Sequence, residues 1–331
     1  MKALALFSGG LDSMLAVKLI VSQGIEVLAL NMDIGFGGKD DKSEIMRRRA
    51  AAAGADFKSV DIRSEYLRQV LFEPKYGYGK HFNPCIDCHG YMFKTALAML
   101  QSEGASFIIT GEVLGQRPMS QRAQALAQVG GLSGDEEGLI LRPLCAKLLP
   151  PTTPEIKGWV DRGALLDISG RGRARQMQLA AEFGFEDYET PAGGCLLTVQ
   201  SFSERIKDAV KFEKIETPAD AEILKFGRHL RLPEGAKLII GRDESDNKKL
   251  AAVQNPKFSE IKFKDNVVGA LSLLSRGASE ADRELAARLA LTYAKTDAAR
   301  RYALLIEGSE LSASPFESKD VRAFGNGFVF G

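Results

Sequence analysis

The sequence has few cysteines, almost no net charge and no long apolar run, and each shortage excludes a class of protein. Four cysteines among 331 residues are too few for a secreted fold that depends on disulfides. The longest largely apolar runs, such as 25–30 and 107–110, are much shorter than the roughly 20 residues that span a bilayer. The first ten residues also lack the long apolar stretch of a signal peptide. We therefore expect a cytoplasmic protein with no membrane partner.

The charge balance gives no general attraction to nucleic acid. The chain has 44 basic and 43 acidic residues, for a net charge of +1. Any binding to RNA must therefore depend on local basic patches. Three arginines at 47–49 form one such cluster, and we expect them to lie on an ordinary solvated face of a helix.

The first part of the chain alternates apolar runs with amphipathic stretches. Strands are predicted at 3–7, 26–32, 57–62, 107–110 and 139–142, and helices at 12–23, 41–53, 92–102 and 171–183. This alternation indicates an α/β domain with a parallel sheet, in which ligands bind beyond the carboxyl ends of the strands. Further on, strands are predicted at 237–240 and 260–263 and a helix at 279–295. We expect two domains, residues 1–200 and a smaller α+β domain at 201–331.

A glycine-rich loop follows the first predicted strand and opens the first helix. Its sequence is Ser8-Gly9-Gly10-Leu11-Asp12-Ser13. Glycines let backbone N–H groups approach an anion, and the helix N-terminus adds a partial positive charge. The loop has neither the Walker lysine nor the third glycine of a dinucleotide site. A tight turn with a simple helix cap would not require this combination, so an anion-binding loop is favoured.

This loop resembles the PP-loop of the ATP pyrophosphatases, which cleave ATP to AMP and pyrophosphate while adenylating an acceptor. The resemblance implies an adenine-nucleotide-hydrolase fold, with ATP as a cofactor and Mg²⁺ close to Asp12. The residues that it implies bind the nucleotide are Ser8, Gly9, Gly10, Asp12, Ser13, Met32 and Gly111.

The cysteine pattern indicates which class of acceptor ATP would adenylate. The segment Asn83–Cys88 (N-P-C-I-D-C) resembles the tRNA 2-thiouridylases (MnmA). The segments 110–116 (TGEVLGQ), 141–144 (LRPL) and 187–195 (DYETPAGGC) resemble the tRNA 4-thiouridine synthetases (ThiI). We expect neither an N-terminal THUMP-type RNA-binding domain nor a C-terminal rhodanese domain in this sequence.

The resemblance implies sulfur transfer to an adenylated uridine, with Cys85, Cys195 and Asp12 as catalytic residues. In one version, Cys85 or Cys195 carries a persulfide and the other closes a disulfide. In another, Cys85, Cys88 and Cys195 hold a [4Fe–4S] cluster, which we favour as a cofactor. A structural zinc site would need a fourth ligand such as His89. Cys145 is expected to be a small buried side chain.

Residues 238–295 resemble an NFACT-R-type RNA-binding module, through Ile240–Asn247 (IGRDESDN) and the helix around Ala286–Lys295. The combined prediction is an ATP-dependent tRNA thiouridine synthetase that needs a sulfur donor, either a cysteine desulfurase or inorganic sulfide. Formation of a homodimer is an alternative role for residues 201–331. Two alternatives remain: a PP-loop synthetase that forms an amide or nitrile on a small molecule, and a non-catalytic RNA-binding protein.

Overall fold

The computed structural model describes residues 1–38, 40–189, 194–264 and 266–317. The chain divides into two compact units, Met1–Thr198 and a second that begins at Val199. Among the helices in the described ranges, none has the length and apolar character needed to cross a membrane.

The N-terminal unit is built on a parallel sheet. Its strands are β1 (Lys2–Leu6), β2 (Glu26–Asp33), β3 (Asp56–Asp61), β4 (Phe107–Thr110) and β5 (Ile140–Leu141). They are arranged in the order β3-β2-β1-β4-β5, and every neighbouring pair is parallel. The order changes direction between β1 and β4, which is where ligands bind in sheets of this kind.

Helices cover this sheet, and the central strands β1 and β4 accordingly have buried apolar side chains on both faces. The helices are α1 (Leu11–Val21), α2 (Ser43–Ala53), α3 (Arg63–Tyr66), α4 (Cys85–Met99), α5 (Ala123–Ser133), α6 (Thr153–Ile156) and α7 (Ala174–Glu182). A single π-helical turn, Leu67–Leu71, follows α3 directly. All four residues of β4 are buried, as are the middle residues Ala3–Ala5 of β1. The central strands therefore form the buried core of the unit, and the loops at the edge of the sheet are anchored to it.

The second unit has an antiparallel sheet and four helices among its described residues. The helices are α8 (Gln200–Phe212), α9 (Pro218–Glu222), α10 (Glu244–Ala252) and α11 (Glu280–Thr292). The strands are β6 (Arg228–Arg231), β7 (Lys237–Ile240), β8 (Phe258–Phe263), β9 (Ser272–Ser275), β10 (Tyr302–Ile306) and β11 (Ser309–Ala313). They are arranged in the order β11-β10-β8-β9-β7-β6. The buried face of α11, which includes Ala286 and Leu289–Leu291, belongs to the same apolar core as β7 and β10.

A cluster of buried charges ties α8 to this sheet. Asp208 on α8 accepts hydrogen bonds from Arg231 Nε at 3.1 Å and Arg231 Nη2 at 2.6 Å, and it also pairs with Lys237. Arg231 pairs with Glu213 as well. Because charges in an apolar interior are costly unless they are paired, this cluster fixes the position of α8 on the sheet.

The predicted α/β domain with a parallel sheet, followed by a smaller mixed domain, is confirmed. The largest error in the first unit concerns α4, which begins at Cys85 and not at residue 92. Both cysteines of the C-x-x-C segment therefore lie in the first turn of a helix. Helix α5 was not predicted, and neither were the strands β6, β9, β10 and β11 of the second unit.

Candidate active site

The glycine-rich loop lies at the carboxyl end of β1 and leads directly into α1. Gly9 has a φ of +72°, a conformation that favours glycine, and Gly10 occupies the N-cap of α1 with no side chain capping the helix. Ser13 Oγ donates a hydrogen bond to the Gly10 carbonyl at 2.7 Å, which tightens the turn. The first N–H groups of α1 lack a side-chain cap, so the loop presents the donors that an anion requires.

Arg49 on α2 contacts the backbone of this loop. Its Nη1 donates to the Gly9 carbonyl at 3.1 Å, and its Nη2 bonds to Asp187 at 2.9 Å. Hydrogen bonds from Arg49 and Arg48 lower the pKa of Asp187. The prediction of a solvated face for 47–49 is therefore wrong for Arg49, which is only 8% exposed. A run of three arginines gave no signal that the third one would turn inward.

Gly111, just after β4, packs against the same loop. A Cβ atom at this position would lie 2.5 Å from the Ser13 backbone nitrogen and 2.7 Å from the Asp12 carbonyl oxygen. Both distances are shorter than any real Cβ contact, so the residue has to be glycine. Gly111 thus packs against the glycine-rich loop, and its role in binding the nucleotide remains a prediction.

Asp12 points from α1 towards the segments that follow β4 and precede α7. Its Oδ2 accepts a hydrogen bond from Gln116 at 2.7 Å and lies 3.7 Å from Arg173 Nη2. Its Oδ1 is buried and has no hydrogen-bond partner among the described residues. A carboxylate oxygen left open beside an anion-binding loop is the kind of ligand that Mg²⁺ takes.

Met32 lies near the carboxyl end of β2, the strand next to β1, and its side chain is buried. Its neighbour Asn31 donates to the Phe7 carbonyl at 3.3 Å, which links the ends of the two strands. The sequence places Met32 beside adenine, and this remains a prediction.

The cysteines predicted to handle sulfur influence one another's pKa. Burial raises the pKa of Cys88, and the neighbouring Cys195 raises it further. Burial also raises the pKa of Cys195 to about 11, with the backbone of Leu197 opposing the rise and Cys85 adding to it. Residues from the start of α4 and from the segment just before Thr198 thus share one electrostatic environment. Residues 190–193, which precede Cys195 in the predicted motif, lie outside the described residues.

Two features hold these thiols in place. Asn83 Nδ2 donates to Cys85 Sγ at 3.1 Å, so the asparagine of the N-P-C segment orients the sulfur. The backbone N–H of Leu196 donates to the Phe36 carbonyl at 2.9 Å, and the Phe36 ring packs 6.1 Å from that of Tyr66. Tyr66 is fully buried, and its pKa is raised first by burial and then by the Cys88 and Cys195 thiols. Neither the sequence pattern nor the spacing indicated Tyr66 as part of the site.

The TGE and LRP segments meet at Glu112. Its Oε1 lies 2.7 Å from His89 Nδ1 and its Oε2 accepts from Arg142 Nε at 2.9 Å. Burial alone would raise the pKa of Glu112, but Arg142 and His89 outweigh it and lower the pKa. His89 is therefore engaged with Glu112. Cys145 is fully buried, as expected, with its thiol directed at the Glu112 carbonyl.

Within the ranges that the structure describes, no three His, Cys, Asp or Glu side chains are grouped to hold a single metal ion. The geometry thus gives no support to a structural zinc site with His89. In an iron–sulfur cluster each iron takes its own thiolate, so the ligands need not converge on one ion. Three neighbouring thiols are a suitable set of donors for such a cluster.

The distance between the two parts of the site is limited by the chain itself. Gly10 forms a parallel bridge with Glu189, and Cys195 follows six residues later. Six residues of extended chain span at most about 22 Å, and bridged segments lie about 5 Å apart. The backbone of Cys195 therefore lies within about 27 Å of Gly10 in the glycine-rich loop.

Comparisons with known families define the class of each part. Residues 1–147 match the family model described as thiamine biosynthesis protein (ThiI), and residues 227–323 match the NFACT protein RNA binding domain. The first part of the chain is thus similar to ThiI, and the second part is similar to the NFACT RNA-binding domain. Both resemblances seen in the sequence are confirmed.

Individual relatives show the same mixture of families. The chain is 31% identical over 125 residues to the tRNA-specific 2-thiouridylase MnmA of Pelotomaculum thermopropionicum, covering 33% of this chain and 34% of the relative. It is 28% identical over 173 residues to a probable tRNA sulfurtransferase of Methanothermobacter thermautotrophicus, covering 51% and 41%. A solved 4-thiouridine synthetase–RNA complex with bound ATP aligns with a TM-score of 0.44 and 19% identity, covering 68% of this chain and 53% of that one. The chain thus spans about a third of the length of the 2-thiouridylases that it matches.

Proposed function

We propose that this protein is an ATP-dependent tRNA thiouridine synthetase. The observation that carries the proposal is that the Cys85, Cys88 and Cys195 thiols belong to the same unit as the glycine-rich loop, beside which Asp12 Oδ1 has no described partner. The domain matches support it, since a ThiI-like domain here precedes an RNA-binding domain. The reaction would take place in the cytoplasm, where thiols are kept reduced.

The first step is the activation of a uridine. Its carbonyl oxygen attacks the α-phosphate of ATP, pyrophosphate leaves, and the oxygen becomes part of an AMP leaving group. The loop from Ser8 to Ser13 holds the pyrophosphate with its backbone N–H groups. Asp12 Oδ1 is the oxygen that would hold Mg²⁺, which offsets the charge of the phosphates. Arg173, 3.7 Å from Asp12, adds a fixed positive charge at the same place.

The second step replaces oxygen by sulfur. The terminal sulfur of a cysteine persulfide attacks the activated carbon, and AMP leaves with the oxygen. The thiol of the other cysteine then attacks the first Sγ, so that a Cys85–Cys195 disulfide forms and the sulfur remains on the uridine. A cysteine desulfurase transfers sulfur that is already at the persulfide level to one cysteine thiolate, and an external dithiol then reduces the disulfide formed in each turnover. Inorganic sulfide instead attacks the Cys85–Cys195 disulfide itself, which leaves a persulfide on one cysteine and a thiolate on the other. A [4Fe–4S] cluster held by Cys85, Cys88 and Cys195 would instead supply an open iron for sulfide.

The test measures RNA-dependent pyrophosphate release and thiouridine in digested tRNA for wild-type protein and for Cys195→Ala. We expect the variant to lose thiolation while ATP binding is unchanged, because Cys195 does not belong to the glycine-rich loop. Cys145→Ala is the matched control, since it also removes a buried thiol and should retain thiolation. Wild-type thiolation in Cys195→Ala would contradict the role of this cysteine. Turnover on a small acceptor without RNA would favour a small-molecule synthetase.

The visible spectrum and iron content of protein purified without oxygen separate the two routes of sulfur transfer. About four irons per chain, lost on replacing any of the three cysteines, is the result expected for a [4Fe–4S] cluster. Protein that stays colourless after reconstitution would assign the transfer to a persulfide.

A further inference from the structure

Two amides, one buried and one half-buried, connect Asp12 to helix α7. Gln176 Nε2 donates to Gln116 Oε1 at 3.2 Å, and Gln116 Nε2 donates to Asp12 Oδ2 at 2.7 Å. Gln176 is completely buried on α7, and Gln116 follows the TGE segment. Three parts of the chain that are distant in sequence thus meet in one line of hydrogen bonds.

The carboxylate determines the direction of this line. An ionised Asp12 can only accept hydrogen bonds, so Gln116 has to present its NH₂ group to it. The carbonyl oxygen of Gln116 then faces Gln176, which must in turn donate its own NH₂ group. If either amide were reversed, two acceptors or two donors would face each other.

The arrangement has a cost that an apolar residue would avoid. Gln176 Oε1 is buried without a hydrogen-bond partner among the described residues. Leaving such a group unpaired is unfavourable, and leucine or methionine would fill the same position on α7 without that cost. The amide at position 176 is therefore explained by its hydrogen bond to Gln116, which orients the hydrogen bond from Gln116 to Asp12.

We propose that Gln116 and Gln176 are positioning residues that occupy Asp12 Oδ2 and so leave Oδ1 as the oxygen presented to the Mg²⁺ of bound ATP. Mg²⁺ requires nearly octahedral geometry, and a carboxylate free to rotate would meet that requirement less often. The inference rests on the proposed function only in requiring that the protein binds ATP with a divalent cation.

The test is Gln176→Glu, which keeps the shape of the side chain but replaces its NH₂ group by a second carboxylate oxygen. Gln116 then has a carboxylate on both sides and its NH₂ group can face only one of them, so its hydrogen bond to Asp12 competes with one to the new carboxylate and the line is broken. Mn²⁺ binding is measured by the electron paramagnetic resonance signal of free Mn²⁺, with and without ATP. ATP affinity is measured separately in EDTA. We expect ATP-dependent Mn²⁺ affinity to fall by about tenfold or more, with ATP affinity in EDTA unchanged.

Gln178→Glu is the matched control, because it adds the same charge on α7 at an exposed position and should leave Mn²⁺ binding unchanged. Gln116→Leu is the second variant, should Gln176→Glu fail to fold, and the same loss is expected for it. Wild-type Mn²⁺ affinity in the folded variants would overturn the inference and leave the proposed function standing. An equal loss of ATP affinity in EDTA would also overturn it. A wild-type protein that binds no ATP in either buffer would overturn both proposals.

Discussion

Asp12 in the first unit and Asp208 in the second show two different uses of a carboxylate with little solvent exposure. Asp208 is 7% exposed, with Arg231 bonded to both of its oxygens and Lys237 as a further partner. Asp12 is 19% exposed, and only its Oδ2 has partners in the described part of the chain. The first pattern satisfies the charge within the fold, whereas the second leaves it available to a ligand. We therefore expect substitutions of Asp208 to affect stability and substitutions of Asp12 to affect chemistry.

The largest expected effect is that of Asp12→Asn on ATP turnover. The amide can keep an oxygen towards Gln116, but its NH₂ group then occupies the place of Oδ1 and repels a cation. Pyrophosphate release should fall by at least about a hundredfold, while the free energy of unfolding changes by less than about 1 kcal/mol. A pyrophosphate assay and thermal unfolding measure the two quantities. Wild-type pyrophosphate release in Asp12→Asn would show that Asp12 differs from Asp208 in exposure but not in its importance for the reaction.

Asp208→Asn should have the opposite profile. Removing this charge leaves Arg231 and Lys237 buried without their shared carboxylate, which costs about 3–5 kcal/mol. Unfolding in urea, followed by circular dichroism, measures the loss, and ATP affinity should not change. Glu244→Gln is the control, since it breaks the exposed ion pair with Lys248 and should have almost no effect on stability. A loss as small as that of the control would show that the Asp208 cluster does not stabilise the fold.

Glu112→Gln tests an intermediate case, a carboxylate at the site whose two oxygens both have partners. Because Arg142 and His89 lower the pKa of Glu112 against the effect of burial, its stabilising contribution is present above the ordinary value of 4.5. This contribution is lost as the pH falls through the lowered pKa. The variant should lose about 1–3 kcal/mol at neutral pH, and the difference from wild type should shrink in acid.

Urea unfolding at several pH values measures this difference. The exposed Glu65, which pairs with Arg68, provides the control, because Glu65→Gln should show a small difference at every pH. A difference for Glu112→Gln that does not depend on pH would mean that its charge adds nothing to stability.

The sequence was a good guide to the parallel sheet and a poor one to the antiparallel sheet. Strand β4 was predicted with its observed bounds because three apolar residues and a threonine, all buried, form an uninterrupted run. The hairpin of β10 and β11 was missed because its turn residues, Glu307 and Gly308, are an unusual pair. Both have positive φ, of 51° and 83°, as a two-residue hairpin turn requires.

The start of α4 carried a signal that apolar periodicity does not register. Asp87 in the first turn is typical of a helix start, and Pro84 directly precedes the helix, one position before the site where proline is most common. The apolar repeat, however, becomes regular only after residue 91, so the helix was predicted too short. The glycine loop and the cysteines were identified from local motifs alone. Tyr66, Arg49 and Gln176 could not be, since their roles depend on contacts between distant parts of the chain.

The closeness of Gly111 to the backbone of Asp12 and Ser13 limits how this region can vary in evolution. The contact joins main chain to main chain, so no change of side chain elsewhere can make room for a methyl group at position 111. Gly111 carries no functional group, yet it should be as intolerant of replacement as a catalytic residue. The fit between the loop after β4 and the glycine-rich loop therefore depends on the path of the backbone.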